Sequence, residues 1–278
     1  MNSNRRNIAA IYRFEQPLKQ ATIVARPNRF IMHVAVDGKK TICHCPSTGK
    51  IAGIKFNGET PCLLSPAVTL LRKTPFTVEA IYIDKIKQWV GINQNAANRY
   101  IEYFFKIGAL KKIVRNPDNL QREQTIGKSR LDFRIGNTYI EVKMPLQFLP
   151  SISSTKDLTT LRDSKILQSR FMRHLQELKQ RLNANEQARL LICFMYDAPT
   201  FIVPHNNTKQ SRAIKKLVTE SVKAGVTIWQ VNLEITPQGV KLLNYFNISN
   251  LFCATSSLRG ASTASDAAIH SFAVTKER

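Results

Sequence analysis

Residues 129–143 read S-R-L-D-F-R-I-G-N-T-Y-I-E-V-K, with Gly136-Asn137 at the middle of the run. A two-residue connection of this kind between apolar segments closes an antiparallel hairpin, and the turn fixes the register of everything that follows it. In that register Asp132 stands opposite Glu141, Phe133 opposite Ile140 and Leu131 opposite Val142. Side chains alternate across a strand, so one side of the ribbon is apolar while the other carries Arg130, Asp132, Arg134, Tyr139, Glu141 and Lys143.

Two like charges directly across a strand pair repel, with their side-chain roots only ~5 Å apart, unless something positive lies between them. A divalent cation meets that need. Mg²⁺ is held by one or two carboxylates together with waters and substrate phosphate oxygens, and Asp132 with Glu141 supplies that minimum. Lys143, two residues past Glu141, points the same way. It could position an attacking water and offset charge on phosphorus as a backbone is cut. The alternative is a solvated strand on which Asp132 pairs with Arg130 or Arg134.

The chain carries 41 Lys+Arg against 19 Asp+Glu, a formal charge of +22, and its pI is near 10.1. This excess predicts a polyanionic partner, and nucleic acid leads because each neutralised phosphate releases a counterion. No long basic amphipathic helix suggests a lipid surface, and no apolar run approaches the roughly 18 residues of a membrane span. The start M-N-S-N-R-R-N-I-A-A-I-Y-R lacks the apolar stretch of a secretion signal. Five cysteines, Cys43, Cys45, Cys62, Cys193 and Cys253, form no disulfide framework. The expected compartment is therefore the cytoplasm. Cys43-His44-Cys45 has no second half of a metal motif and reads as strand packing.

The pattern divides the chain into a tail (1–13), a β unit (14–83), a mixed unit (84–247) and a C-terminal extension (248–278) that is small, polar and aperiodic beyond Phe252. In the β unit, short apolar or alternating runs (29–36, 40–45, 61–64) are broken by Asp37-Gly38, Ser47-Thr48-Gly49 and Asn57-Gly58. A compact barrel of the OB type fits that length, and such barrels bind single strands through a basic face. Arg26, Arg29, Lys50, Lys55, Arg72 and Lys73 are its candidate cations. Past Asp84 the period becomes helical over 95–110, the hairpin follows, and the Ser/Thr-rich stretch 151–160 reads as a loop. Helices over 161–182 and 209–224 then alternate with strands over 188–196 and 225–235, which indicates an α/β core.

Several of these segments resemble one family. R-P-N-R-F (26–30), C-H-C-P-S-T-G-K-I-A-G (43–53), L-R-K-T-P-F-T (71–77), S-R-L-D-F with Y-I-E-V-K around the hairpin, R-H-L-Q-E-L (173–178) and K-A-G-V-T-I-W-Q-V-N-L-E-I-T-P-Q-G-V (223–240) are similar, in order and spacing, to the sugar fermentation stimulation protein A family. The likeness spans roughly residues 14 to 245. It implies an α/β (α+β) protein with an N-terminal OB-like barrel followed by a nuclease-like domain of the PD-(D/E)xK class. It also implies DNA binding, DNA or RNA cleavage, and a Mg or Mn cofactor.

Under the resemblance, Asp132, Glu141 and Lys143 match the signature's catalytic positions, with Asp132 and Glu141 as metal ligands. Arg130 matches the arginine before the aspartate, and Asn98-Arg99 match a pair that opens the preceding helix; these touch phosphate or brace the site. With Arg29, Lys50, Arg72, Lys73, Arg170 and His174, Arg99 and Arg130 make up the candidate nucleic-acid contacts. Where the family shows T-E-R-G, this chain has Gln168, Ser169, Arg170 and Phe171, and Met144-Pro145 replaces the pair expected after the lysine. The rival reading is a non-catalytic DNA-binding regulator, related to sugar metabolism, that retains a nuclease fold. Nothing in the sequence fixes a subunit number.

Overall fold

A computed structural model describes residues 10–47, 51, 54, 56, 58, 60–67, 69, 72–126, 129–146, 165–182, 185–201 and 209–253. Strand β1 (Ile11–Arg13) precedes β2 (Lys19–Ala25), β3 (Ile31–Val36), β4 (Lys39–His44), β5 (Thr60–Pro66), β6 (Phe76–Ile83) and β7 (Gln88–Gly91). The order β4-β3-β2-β5-β6 closes on itself through a parallel β4–β6 pairing, Cys43 with Phe76 and His44 with Thr77. The result is a five-stranded barrel of the OB type, which leaves no open edge among those strands. Ile23, Met32, Val34, Cys43, Cys62 and Ile81 fill it at 0% exposure. Cys43 and Cys45 both face inward, and burial pushes the Cys43 thiol up to about 11, so this segment packs the barrel. The β3–β4 turn takes positive φ at Asp37 (49°) and Gly38 (75°), as the sequence signal requires.

Helix α1 (Gln94–Lys106) follows, then β8 (Leu120–Ile126), β9 (Ser129–Ile135), β10 (Thr138–Lys143), α2 (Lys165–Arg181), β11 (Gln187–Phe194), α3 (Lys209–Lys223), β12 (Thr227–Thr236), β13 (Gly239–Asn247) and the short α4 (Asn250–Cys253). The sheet order is β1-β13-β12-β11-β10-β9-β8. β10, β11 and β12 are mutually parallel, with α2 and α3 as the crossovers between them. These three central strands are largely buried, as the continuous apolar run of β11 anticipates. α1 packs on the Phe133 face of the sheet, where the Phe105 and Phe133 rings lie 6.4 Å apart. α2 lies across the opposite face, through His174.

α1 has clear end signals. Asn93 Oδ1 accepts the Ala96 amide at 3.2 Å as N-cap, and Gly108 (φ 67°) ends the helix. The Gly108 and Ala109 amides then return to Phe105 and Phe104 carbonyls at 2.8 and 2.9 Å.

Three boundaries differ from the sequence reading. β1, expected as tail, pairs with β13 as an edge of the large sheet, because Tyr12 buries its ring against Tyr100 and Tyr103 at 5.0 and 5.3 Å. β7, expected in the second unit, extends the barrel by pairing with β6. Residues 248–253 fold back onto α3, where the Thr219 hydroxyl donates to the Phe252 carbonyl at 3.0 Å. The loop at 151–160, residues 161–164 of the expected helix, and 254–278 lie outside the described residues.

The two units meet through a small polar joint. Glu79, 4% exposed in β6, accepts from the Ser65 hydroxyl at 2.6 Å and from Asn93 Nδ2 at 2.8 Å, so one barrel carboxylate holds the N-cap of α1. Beside it the Gly91 amide donates to the Met195 carbonyl at 3.1 Å. A Cβ at Gly91 would stand 2.7 Å from Met195 Cβ, so a larger residue there would have to displace Met195. Asn93→Ala removes a cap and leaves the buried Glu79 short of a donor, and is expected to cost about 2–3 kcal/mol. Urea unfolding should show the midpoint falling with the slope unchanged.

Candidate active site

Strands β9 and β10 part where the carboxylates begin. Their ladder runs Ile135–Thr138, Arg134–Tyr139 and Phe133–Ile140 and ends there. The turn confirms the predicted register, with Gly136 at φ 54°. One step further the strands splay: in an unbroken ladder the Val142 amide would donate to the Leu131 carbonyl, but it donates to Asp132 Oδ2 at 2.8 Å. The expected pairings Asp132–Glu141 and Leu131–Val142 are therefore not made, because the Asp132 side chain takes the place of a main-chain acceptor. On the other side of β9 the β8 pairing skips Glu123, which takes φ 54° opposite Asp132. Asn98 Nδ2, from α1, donates to Asp132 Oδ1 at 2.7 Å.

Glu141 is 2% exposed. Its Oε1 accepts from the Lys143 ammonium and from His174 Nδ1–H, the latter at 2.5 Å, and Lys143 Nζ lies 3.4 Å from the same ring nitrogen. Its Oε2 is buried with no hydrogen-bond partner among the described residues. β10 does not match the solvated-strand alternative: His174 of α2 reaches its Glu141 face, and every β10 residue except Lys143 is buried. Lys143 keeps 27% of its side chain accessible, at the open side of the cluster.

The two carboxylates are pushed apart electrostatically. Burial, reinforced by the negative charge of Glu141, raises Asp132 to about 6 against the Val142 and Asn98 hydrogen bonds and the Lys143 charge. Burial acts on Glu141 in the same direction, but the His174 hydrogen bond and the Lys143 ammonium outweigh it and hold Glu141 below the usual carboxylate range. Among the described residues no three His, Cys, Asp or Glu side chains converge as a complete cage. A strained acidic pair with one unpartnered buried oxygen fits a hard cation that keeps waters and takes only two protein carboxylates.

The other expected contacts sort differently. His174, proposed as a phosphate contact, is 4% exposed and spends its Nδ1 on Glu141, so it braces a carboxylate where a surface role was expected. Arg130 is exposed and turns to Glu123 at 3.3 Å on the neighbouring strand. Arg99 is exposed on α1, while its neighbour Asn98 reaches Asp132. Glu102 faces Lys106 and Arg122 at 2.8 and 3.6 Å and takes no part in the cluster. On the barrel, Arg29 lies over the Phe30 ring at 4.6 Å, and Arg26 donates to the Ser47 carbonyl at 2.6 Å. Arg72 donates to the Thr74 and Thr77 hydroxyls at 3.2 and 3.3 Å, and Lys73 is exposed. Lys50, Lys55 and the side chain of Arg170 lie outside the described residues. Gln94, which the sequence did not mark, donates to the Met144 carbonyl at 3.2 Å and ties α1 to the segment after Lys143.

An OB-like barrel joined to a mixed α/β sheet, with two acids and a lysine gathered where two strands splay, defines the class. The chain belongs to the sugar fermentation stimulation protein family. Residues 24–92 match the family's SfsA N-terminal OB domain, and 95–239 match the Sugar fermentation stimulation protein RE domain. A sugar fermentation stimulation protein homolog of Synechococcus sp. (strain JA-2-3B'a(2-13)) is 31% identical, covering 85% of this chain and 95% of that protein. One from Clostridium perfringens (strain 13 / Type A) is 28% identical, covering 85% and 99%. The fold is similar to the solved structure of Pyrococcus furiosus SfsA in complex with Ca²⁺, with TM-score 0.60 and 16% identity over 84% of this chain and 96% of that one.

Asp132 binds its proton more tightly folded than unfolded, so its contribution to stability is complete below pH ~4 and is lost as pH rises through about 6. Thermal melts in EDTA should show the wild type losing stability relative to Asp132→Asn across that window.

Proposed function

We propose that this chain binds nucleic acid and cleaves phosphodiester bonds of DNA or RNA with a divalent cation, Mg²⁺ or Mn²⁺, held by Asp132 and Glu141. The observation that carries this reading is the buried, unpartnered Glu141 Oε2 on the same cluster as an Asp132 carboxyl raised to about 6. The Ca²⁺ bound by the Pyrococcus furiosus relative is a hard cation of the same kind and supports it. When bound, such a cation supplies positive charge against the scissile phosphate and makes a water acidic enough to attack near neutral pH.

The chain's own residues do the rest. His174 holds Glu141 Oε1, which leaves Oε2 as the open oxygen of that carboxylate. Asn98 and the Val142 amide fix the orientation of Asp132, each on one oxygen. Lys143 brings an ammonium to the accessible side of the pair, where negative charge develops as the phosphorus centre is attacked. The barrel offers a basic surface with Arg29 stacked on the exposed Phe30, suited to backbone and base stacking contacts with a strand. We propose the cytoplasm as the compartment of this activity, a reading that the five free cysteines support.

A second reading, a DNA-binding regulator that retains the fold without catalysis, is favoured by the missing third ligand among the described residues and by Ser169 where the family shows an acid. Incubation with single- and double-stranded DNA and RNA plus Mg²⁺ or Mn²⁺ separates the two. Cleavage should vanish in Asp132→Ala and Glu141→Ala and fall about 10²-fold in Lys143→Ala, with binding retained. Tight binding with no metal-dependent cleavage would favour the regulator. Because the proton on Asp132 competes with the metal, Mn²⁺ affinity should rise with pH up to about 6 and then level off, measured calorimetrically on the protein without nucleic acid.

A further inference from the structure

A groove of about 610 Å³ opens at the hairpin end of the large sheet, lined by Lys111, Lys112, Arg115, Thr138, Gln187 and Arg189 among others. Thr138 pairs with Gln187 and Ile140 with Arg189, so these groove residues share the Ile140 face of the sheet. Glu141 and Lys143 project from the other face. Lys143 lies five residue steps along extended β10 from Thr138, roughly 17 Å. The groove thus lies on the opposite face and at the opposite end from the acidic pair.

Four cations meet there, and none of them is paired with a carboxylate among the described residues. Glu186, three positions from Arg189, accepts from the Tyr139 hydroxyl at 3.0 Å, and Asp118, three positions from Arg115, is exposed. Arg189 is the anchor. Its two terminal nitrogens donate to Gln187 Oε1 at 2.6 Å and to the Ala188 carbonyl at 3.4 Å, while Nε is buried with no hydrogen-bond partner among the described residues. Arg189 is half-buried and has no counter-ion among the described residues, and an anionic ligand at its accessible edge would supply one. The wall that carries the lysines is built. Leu110 and Ile113 are 0% and 3% exposed, and the Lys112 amide donates to the Tyr245 hydroxyl at 3.4 Å. The volume suits a mononucleotide-sized ligand.

We propose that this groove is a binding site for a phosphate-bearing anion, separate from the carboxylate pair. Its ligand is a free phosphorylated small molecule or a backbone phosphate of bound nucleic acid, and the two share the chemistry of a phosphate on an Arg–Lys cluster. The site requires no metal, so its test is independent of the nuclease reading.

The test is equilibrium binding of the full chain in EDTA with three probes: inorganic pyrophosphate, a 5′-mononucleotide and a single-stranded oligonucleotide. The groove variant is Lys111→Gln, Lys112→Gln, Arg115→Gln, all at exposed positions. A charge-matched control, Lys215→Gln, Lys216→Gln, Lys223→Gln, sits on α3. Expected is a loss of at least about tenfold for one or more probes in the groove variant and not in the control. Loss for pyrophosphate or mononucleotide identifies a free anion as ligand; loss for the oligonucleotide alone identifies the backbone. Equal effects in the two variants, or no saturable binding of any probe by the wild type, would overturn the proposal.

Discussion

Glu141 keeps a negative charge at 2% exposure in the middle of a seven-stranded sheet, and much of the second unit is arranged around that demand. A buried carboxylate costs several kcal/mol unless it is paired and hydrogen-bonded. Here Lys143, on the same strand, and His174, from α2, both reach one oxygen. Those contacts seat α2 across the sheet face, which in turn buries β10. The arrangement satisfies Oε1 alone and leaves Oε2 bare, so the stabilisation is partial in a way that a cation would complete.

Asp132 shows the same incompleteness. The side chain replaces a main-chain acceptor at the strand splay, and Asn98 takes its second oxygen, yet burial, reinforced by the charge of Glu141, still lifts its pKa. A sheet optimised only for stability would continue the ladder and place apolar side chains here. Local rules broken by several neighbouring residues at once, with the surrounding packing intact, are what single out this cluster as the candidate site. The barrel enters through α1: Glu79 holds the Asn93 cap at one end of the helix, and Asn98, one turn on, holds Asp132. A change in the barrel wall is therefore two hydrogen bonds away from the acidic pair.

Legibility in the sequence followed the range of the interactions. The barrel strands, α1 and the hairpin were readable because turn residues and side-chain period act over a few positions. β8, read as nothing in particular, is an edge strand whose residues 121–123 are exposed in a row, so it shows no alternation. β1 reads as a tail from the sequence because its pairing with β13 and its aromatic contacts join residues more than 80 positions apart. His174 was visible as a histidine on a helix, but no local signal says that the ring faces inward.

The sequence by itself determined the register of the hairpin next to its turn, the common side of Glu141 and Lys143 on one strand, the closed β unit and the strong cationic excess, since each rests on neighbours in the chain or on composition. Only the tertiary structure decided that the strands splay at Asp132, that Asn98 and His174 brace the two carboxylates, and that Arg189 joins a second cationic groove on the far face. These last features depend on helices packed from 33 or 34 residues away and on a parallel strand brought alongside, and docking of that kind leaves no trace in local pattern.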